Sequence, residues 1–109
     1  MRAIKINPVE GTIEEVEYDG DWKTIGPMCS YQLFTLVRID DYQSLYVDDE
    51  GLFVEGQYFF QWSGYPQPLG GVALILGSDD DGESQPATIT LDEVKASVSF
   101  LGQNPNWRL

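Results

Sequence analysis

Apolar and polar positions alternate in short blocks along most of this chain, and the blocks read as strands. Ile4 and Ile6 fall on one face of Arg2–Asn7, with period two. Asn7-Pro8-Val9-Glu10-Gly11 is turn chemistry, since Pro presets φ and Gly admits a positive one. The β-branched, acidic Thr12–Tyr18 returns as a second strand, so a hairpin opens the chain. Glu14, Glu15 and Glu17 suit a water-facing strand or an edge that charge protects from self-association. Leu33–Ile39 and Gln43–Val47 form another strand pair across the acidic connection that begins Asp40-Asp41. Val72-Ala-Leu-Ile-Leu76 is apolar at every position, the pattern of a strand covered on both faces. Gln85–Ile89 then returns in extended form.

Two segments carry helical signals. Asp21 can cap a short helix over Trp22–Ile25, which Gly26-Pro27 ends early. Met28, Cys29 and Tyr31 are compatible with a further turn. Thr90-Leu-Asp-Glu93 is a capping box, and Leu91, Val94, Val98 and Leu101 share one helical face. Gly102 is placed to stop that helix. The expected fold is a single α+β domain over 1–109, with a mainly antiparallel sheet. It has one amphipathic helix in the C-terminal half, one short, marginal helix, and a short tail at 103–109. Leu52–Val54 carries no clear signal.

Tyr58–Tyr65 packs five rings into eight residues. Pro66 and Pro68 exclude a regular helix or central strand just after it, so it reads as a loop or short strand. Five rings do not all point inward along one strand, which makes Trp62 and Tyr65 candidate recognition residues. Core packing is the plain alternative.

Charge narrows the partners. The chain has 18 Asp and Glu against 6 Lys and Arg, a formal net charge of -12. Such a surface repels phosphates, so direct nucleic-acid binding and anionic membranes are disfavoured. A basic protein is the fitting charged partner, although the same charge also serves solubility. The hydrophobic fraction of 42%, with abundant aromatics, supports a packed domain despite that charge. Histidine is absent, which removes Ser-His-acid triads, Cys-His pairs and the usual zinc sites. Cys29 is alone, so no internal disulfide forms, and it reads as a small packing residue. No apolar run approaches a membrane span and no secretory leader is visible, so cytoplasm is the expected compartment.

The Asp79-Asp80-Asp81-Gly82-Glu83 turn resembles a cation loop in composition only. With Gly82 at the loop glycine of an EF-hand, Gly77 and Thr88 stand where Asp and a bidentate Glu are required. No metal or other cofactor is expected. Asp48, Asp49 and Glu50 could join that turn as a carboxylate pair, but acid–base work needs a raised pKa in an apolar pocket. Gly70-Gly71 precedes a strand, so it is no dinucleotide fingerprint, and no Walker pattern occurs.

Several stretches taken together carry a resemblance. They are Arg2–Pro8, Ile13–Gly20, Trp22–Ile25, Tyr46-Val-Asp-Asp-Glu-Gly-Leu52 and Pro68-Leu-Gly-Gly-Val-Ala-Leu-Ile-Leu-Gly-Ser-Asp79. Their order resembles a family of small acidic domains of unknown function carried by phages and mobile elements. The resemblance implies no catalytic residues. It implies a phage or mobile-element setting, in which small accessory proteins often bind a host protein or a signalling molecule, and a longer first helix than Gly26-Pro27 permits.

The functional expectation is therefore a non-enzymatic accessory protein binding a host macromolecule. Its acidic face, centred on Asp48, Asp49, Glu50, Asp79, Asp80 and Asp81, would imitate nucleic acid toward a basic host protein. The alternative is a binder of a small molecule or signalling nucleotide through the aromatic 58–65 segment, with Trp62 and Tyr65 in contact.

Overall fold

The structure is a computed structural model, and it describes residues 1–25, 34–40, 42–48, 56–79 and 83–103. Its larger sheet contains β1 (Arg2–Asn7), β2 (Thr12–Glu17), β3 (Phe34–Arg38), β4 (Gln43–Asp48), β7 (Ala73–Ser78) and β8 (Ser84–Gln85). The order is β2-β1-β7-β4-β3, with β8 also on β7. A smaller sheet, in the order β6-β5-β9, contains β5 (Phe59–Trp62), β6 (Leu69–Gly70) and β9 (Val98–Gly102). The helix α1 spans Leu91–Ser97. All pairings among these strands are antiparallel. The mainly antiparallel α+β expectation holds at this level.

Both expected hairpins form, with Ile6 opposite Ile13 in one and Leu36 opposite Tyr46 in the other. The apolar run enters between them. In β7, Ile75 pairs with Ile4 of β1 on one side and Leu45 of β4 on the other. Ala73 and Ile75 face one core, with Ile4, Ile6, Leu45, Val47, Phe60, Trp62, Leu69 and Val94. Leu74 and Leu76 face the second, with Ala3, Tyr18, Ile25 and Tyr46. A strand with neighbours on both edges and cores on both faces has no place for a polar side chain, and that is why its sequence carries none before Ser78.

Two helical expectations change. The helix near residue 22 is a 3-10 turn over Trp22–Thr24 followed by helical Ile25, after which residues 26–33 lie outside the described ones. Asp21 does cap it, its carboxylate accepting from the Lys23 N–H at 3.0 Å. Met28, Cys29 and Tyr31 lie outside the described residues, as do Leu52–Val54 and the tail from 104 onward. The C-terminal helix starts as expected: Thr90 Oγ1 accepts from the Glu93 N–H at 3.1 Å, and the box closes reciprocally. It ends far earlier. Val98 is already extended and opens β9, so Val98 and Leu101 are strand residues and Gly102 is no helix stop. The cause is a pairing that lies far away in sequence. Val98 sits opposite Trp62 and Phe100 opposite Phe60, and β-branched or aromatic residues suit that pleated surface.

Removing the Leu74 side chain leaves a cavity where no solvent reaches, since its exposure is 0%. Leu74→Ala should cost about 2–5 kcal/mol in chemical denaturation. A loss below about 1 kcal/mol would be incompatible with a central β7.

Candidate functional site

The antiparallel register of β4 and β7 decides which loops meet. Gln43 pairs with Gly77 and Tyr46 with Leu74, so the entry to β4 lies beside the exit from β7. The turn before β4 is built by Asp40, whose Oδ1 accepts the N–H groups of Tyr42 and Gln43, both at 2.8 Å. The turn after β7 is built by Asp79. Its Oδ1 accepts the Glu83 N–H at 2.9 Å and its Oδ2 the Gln85 amide at 3.1 Å. The Ser78 N–H donates to the Tyr42 carbonyl at 2.8 Å and ties the two turns together.

Between them lies a cleft of about 520 Å³ lined by Tyr42, Gln43, Gly77, Ser78, Asp79, Gln85, Pro86 and Thr88. Gln43 is its floor and is almost fully buried. Its Nε2 donates to the Tyr42 carbonyl at 3.0 Å and to Thr88 Oγ1 at 2.9 Å. Its Oε1 accepts the Thr88 N–H at 3.1 Å. This amide joins β4 to Thr88 only because position 77 has no side chain. A Cβ at Gly77 would sit 2.8 Å from the Pro86 carbonyl oxygen and 3.2 Å from Gln43 Nε2. Tyr42 stands at the rim with 64% of its surface exposed.

The sequence-predicted residues are distributed unevenly around this geometry. Asp79 lines the cleft, while Asp80 and Asp81 lie outside the described residues. Asp48 is half-buried at the far end of β4, and Asp49 and Glu50 lie outside the described residues. Asp48 stands five residue steps along β4 from Gln43, about 17 Å at the usual strand rise of ~3.4 Å. Asp48 and Asp79, the described members of that possible carboxylate pair, are therefore held apart at opposite ends of the sheet. The turn that meets the Asp79 turn is instead the one built by Asp40, which the sequence marked only as a strand end.

The aromatic stretch is divided between core and surface. Its centre is β5, the middle strand of the smaller sheet, and Phe59, Phe60 and Trp62 are buried there. Trp62 belongs to the core and offers no face to a partner. Tyr65 is half-buried and packs on the same core. The loop that carries it is held by the Gln61 amide, which donates to the carbonyls of Tyr65 and Gln67. The outward positions a strand provides went to Gln61 and to the half-buried Tyr58, not to Trp62.

One buried ionisable group stands elsewhere. Tyr18 is fully buried on the second core, and its hydroxyl has no hydrogen-bond partner among the described residues. Burial, with the Tyr46 phenol and the Asp19 and Asp21 carboxylates nearby, pushes its pKa from 10.0 up to about 12. Asp19 moves the other way, held below its usual value chiefly by the Asp21 N–H and then by the Thr24 hydroxyl. Among the described residues no group of three or more His, Cys, Asp or Glu side chains is placed to hold a metal ion. No helix among them is long and apolar enough to cross a membrane.

No family model matches the chain, and no solved structure matches it. Two curated proteins are similar to it. Protein PsiB of Rhizobium leguminosarum bv. phaseoli is 34% identical over 70 residues, 64% of this chain and 52% of that protein. The uncharacterized protein y4iR of Sinorhizobium fredii (strain NBRC 101917 / NGR234) is 39% identical over 69 residues, 63% of this chain and 42% of that protein. The chain thus spans about half of one relative and less of the other, and neither name states an activity.

Two measurements test this geometry. Gln43→Ala strips the Thr88 N–H and the Tyr42 carbonyl of a partner and should cost about 1–3 kcal/mol of stability in urea unfolding. An unchanged midpoint would mean that residues 86–89 are held by something else. Tyr18→Phe removes an orphan hydroxyl and should stabilise the fold by about 1 kcal/mol. The pH dependence has a definite sign. A phenol whose folded pKa lies above its unfolded value contributes stability that is complete below pH 10.0 and is lost as pH rises toward about 12. The difference between wild type and Tyr18→Phe should therefore widen over that interval, and a constant difference would refute the shift.

Proposed function

We propose that this chain is a non-catalytic binding protein whose recognition surface is the acidic end of the larger sheet, directed at a basic macromolecule. What supports the reading is one observation: β4 and β7 bring the Asp40 turn and the Asp79–Glu83 turn together around a cleft with an exposed tyrosine at its rim. By sequence the same two turns also carry Asp41, Asp80 and Asp81. Carboxylates gathered at one end of a chain of net charge -12 create a field that draws cationic partners and speeds their encounter. A phage- or mobile-element-type accessory role, acting on a basic host protein in the cytoplasm by imitating nucleic acid, is the biological form of this reading. Recognition through the aromatic 58–65 segment has no support of comparable strength, because its Trp62 lies in the core.

The test uses a synthetic lysine-rich peptide and measures association kinetics at low and high ionic strength. Charge reversal at Asp80 and Glu83 should slow association several-fold at low salt and flatten its salt dependence, since rim charges act mainly on the on-rate. Reversal at Glu10 and Glu14 changes the net charge by the same amount. Glu10 lies in the β1–β2 turn, at the end of the sheet where β7 begins, and Glu14 lies on β2, so that variant should keep most of the rate. Equal effects from both pairs would reduce the charge to a solubility device.

A further inference from the structure

We infer that residues 91–102 form a conformational switch, in which β9 leaves β5 and joins α1 as one continuous helix over 91–101, uncovering the edge of β5. The switch belongs to the smaller sheet and is independent of the binding role proposed above.

Three observations meet on this segment. The first is the junction. Thr90 gives α1 a full capping box at its start, but no Gly or Pro stands between α1 and β9. The Val98 N–H still donates to the Val94 carbonyl, the bond of a continuing helix, while the Val98 backbone is already extended at φ -104° and ψ 133°. The helix thus ends at a change of dihedral angles and not at a stop signal. The second is the sequence beyond it. Continued at the helical period, Val98 and Leu101 join Leu91 and Val94 on one face. The N–H groups of Ser99, Phe100 and Leu101 then meet the carbonyls of Lys95, Ala96 and Ser97. Gly102, at φ +65°, already holds the left-handed conformation that closes a helix.

The third observation is the weak attachment of the strand. Among the described residues β9 pairs with β5 alone, and no residue in it is buried. Phe100 is 39% exposed, and the β5–β9 register shifts between Phe59 and Phe60. Segments with few buried apolar contacts open before the whole fold does, and β7, buried from Ala73 to Gly77, marks the opposite extreme. What holds β9 in place is the pairing of Val98 with Trp62 and of Phe100 with Phe60. The helical form gives up these pairs and gains a longer apolar helical face in return.

The experiment is relaxation dispersion and native-state hydrogen exchange on the full chain, with no partner added. Amides of Val98–Leu101 and of β5 should share one exchange process, with a minor state populated to about 0.1–10% whose chemical shifts at 98–101 are helical. Ser99→Ala combined with Phe100→Ala should raise that population about fivefold or more. Ala favours a helix over either residue, and the ring opposite Phe60 is lost. Ser99→Val should lower it severalfold, since a β-branched residue suits the strand. A minor state with the shifts of an unstructured chain would reduce the process to fraying and overturn the switch. So would β9 amides that exchange only together with those of β7, or an absence of dispersion in both wild type and double variant. If the double variant loses β7 protection and unfolds, Ser99→Val alone decides, and an unaltered population there refutes the inference.

Discussion

The placement of β7 between β1 and β4 is the constraint on which the rest of this structure depends. A run with five apolar positions in succession has no face to give to water, so it is stable only where both faces are covered. The two hairpins each supply one strand with a free edge, and β7 closes the gap between them with antiparallel pairs on both sides. From that insertion follow the two cores, the position of the smaller sheet over one of them, and the meeting of the turns at one end. Nothing in the cleft would exist if β1 and β4 were neighbours.

The same constraint explains what could be read from the sequence and what could not. The hairpins were legible because each is local, with alternation and turn residues in one window. The insertion of β7 was not, because strand order is a long-range choice that no local pattern encodes. Residues 98–102 show the limit in miniature. Leu91, Val94, Val98 and Leu101 satisfy a helical period, but Val98 and Phe100 also alternate, and the two patterns coincide over so short a span. The demand of β5 for a partner on its second edge settled the matter in favour of the strand. Trp62 was misjudged for a related reason: ring density was legible, whereas the sheet that would bury the rings depended on β9.

Charge is distributed with the same economy. On β2, the strand at one end of the larger sheet, Glu15 pairs with Arg2 at 2.8 Å, and Glu14 stands opposite Lys5. These exposed pairs contribute little to stability, at most about 1 kcal/mol each. Their more useful effect is to discourage another strand from adding to that edge. Arg2 is also spent internally, donating to the carbonyls of Ala87 and Ile89 and fastening the segment after β8 to β1. The carboxylates at the cleft end have a different setting. Asp40 accepts the Tyr42 and Gln43 N–H groups, and Asp79 accepts the Glu83 N–H and the Gln85 amide, bonds that orient each carboxylate within its turn.

That difference makes the cleft more than a gap left by packing. Its walls are positioned by backbone and amide donors, whose hydrogen bonds set the orientation of the Asp40 and Asp79 carboxylates. The floor obeys the same logic, since a buried glutamine, rather than an ion pair, joins β4 to Thr88. A neutral amide holds the walls apart at little electrostatic cost, and the missing side chain at Gly77 gives it room. The residues that close the sheet at this end are thus the residues that define the cleft. Its geometry is therefore set by the same pairings and hydrogen bonds that set this end of the sheet.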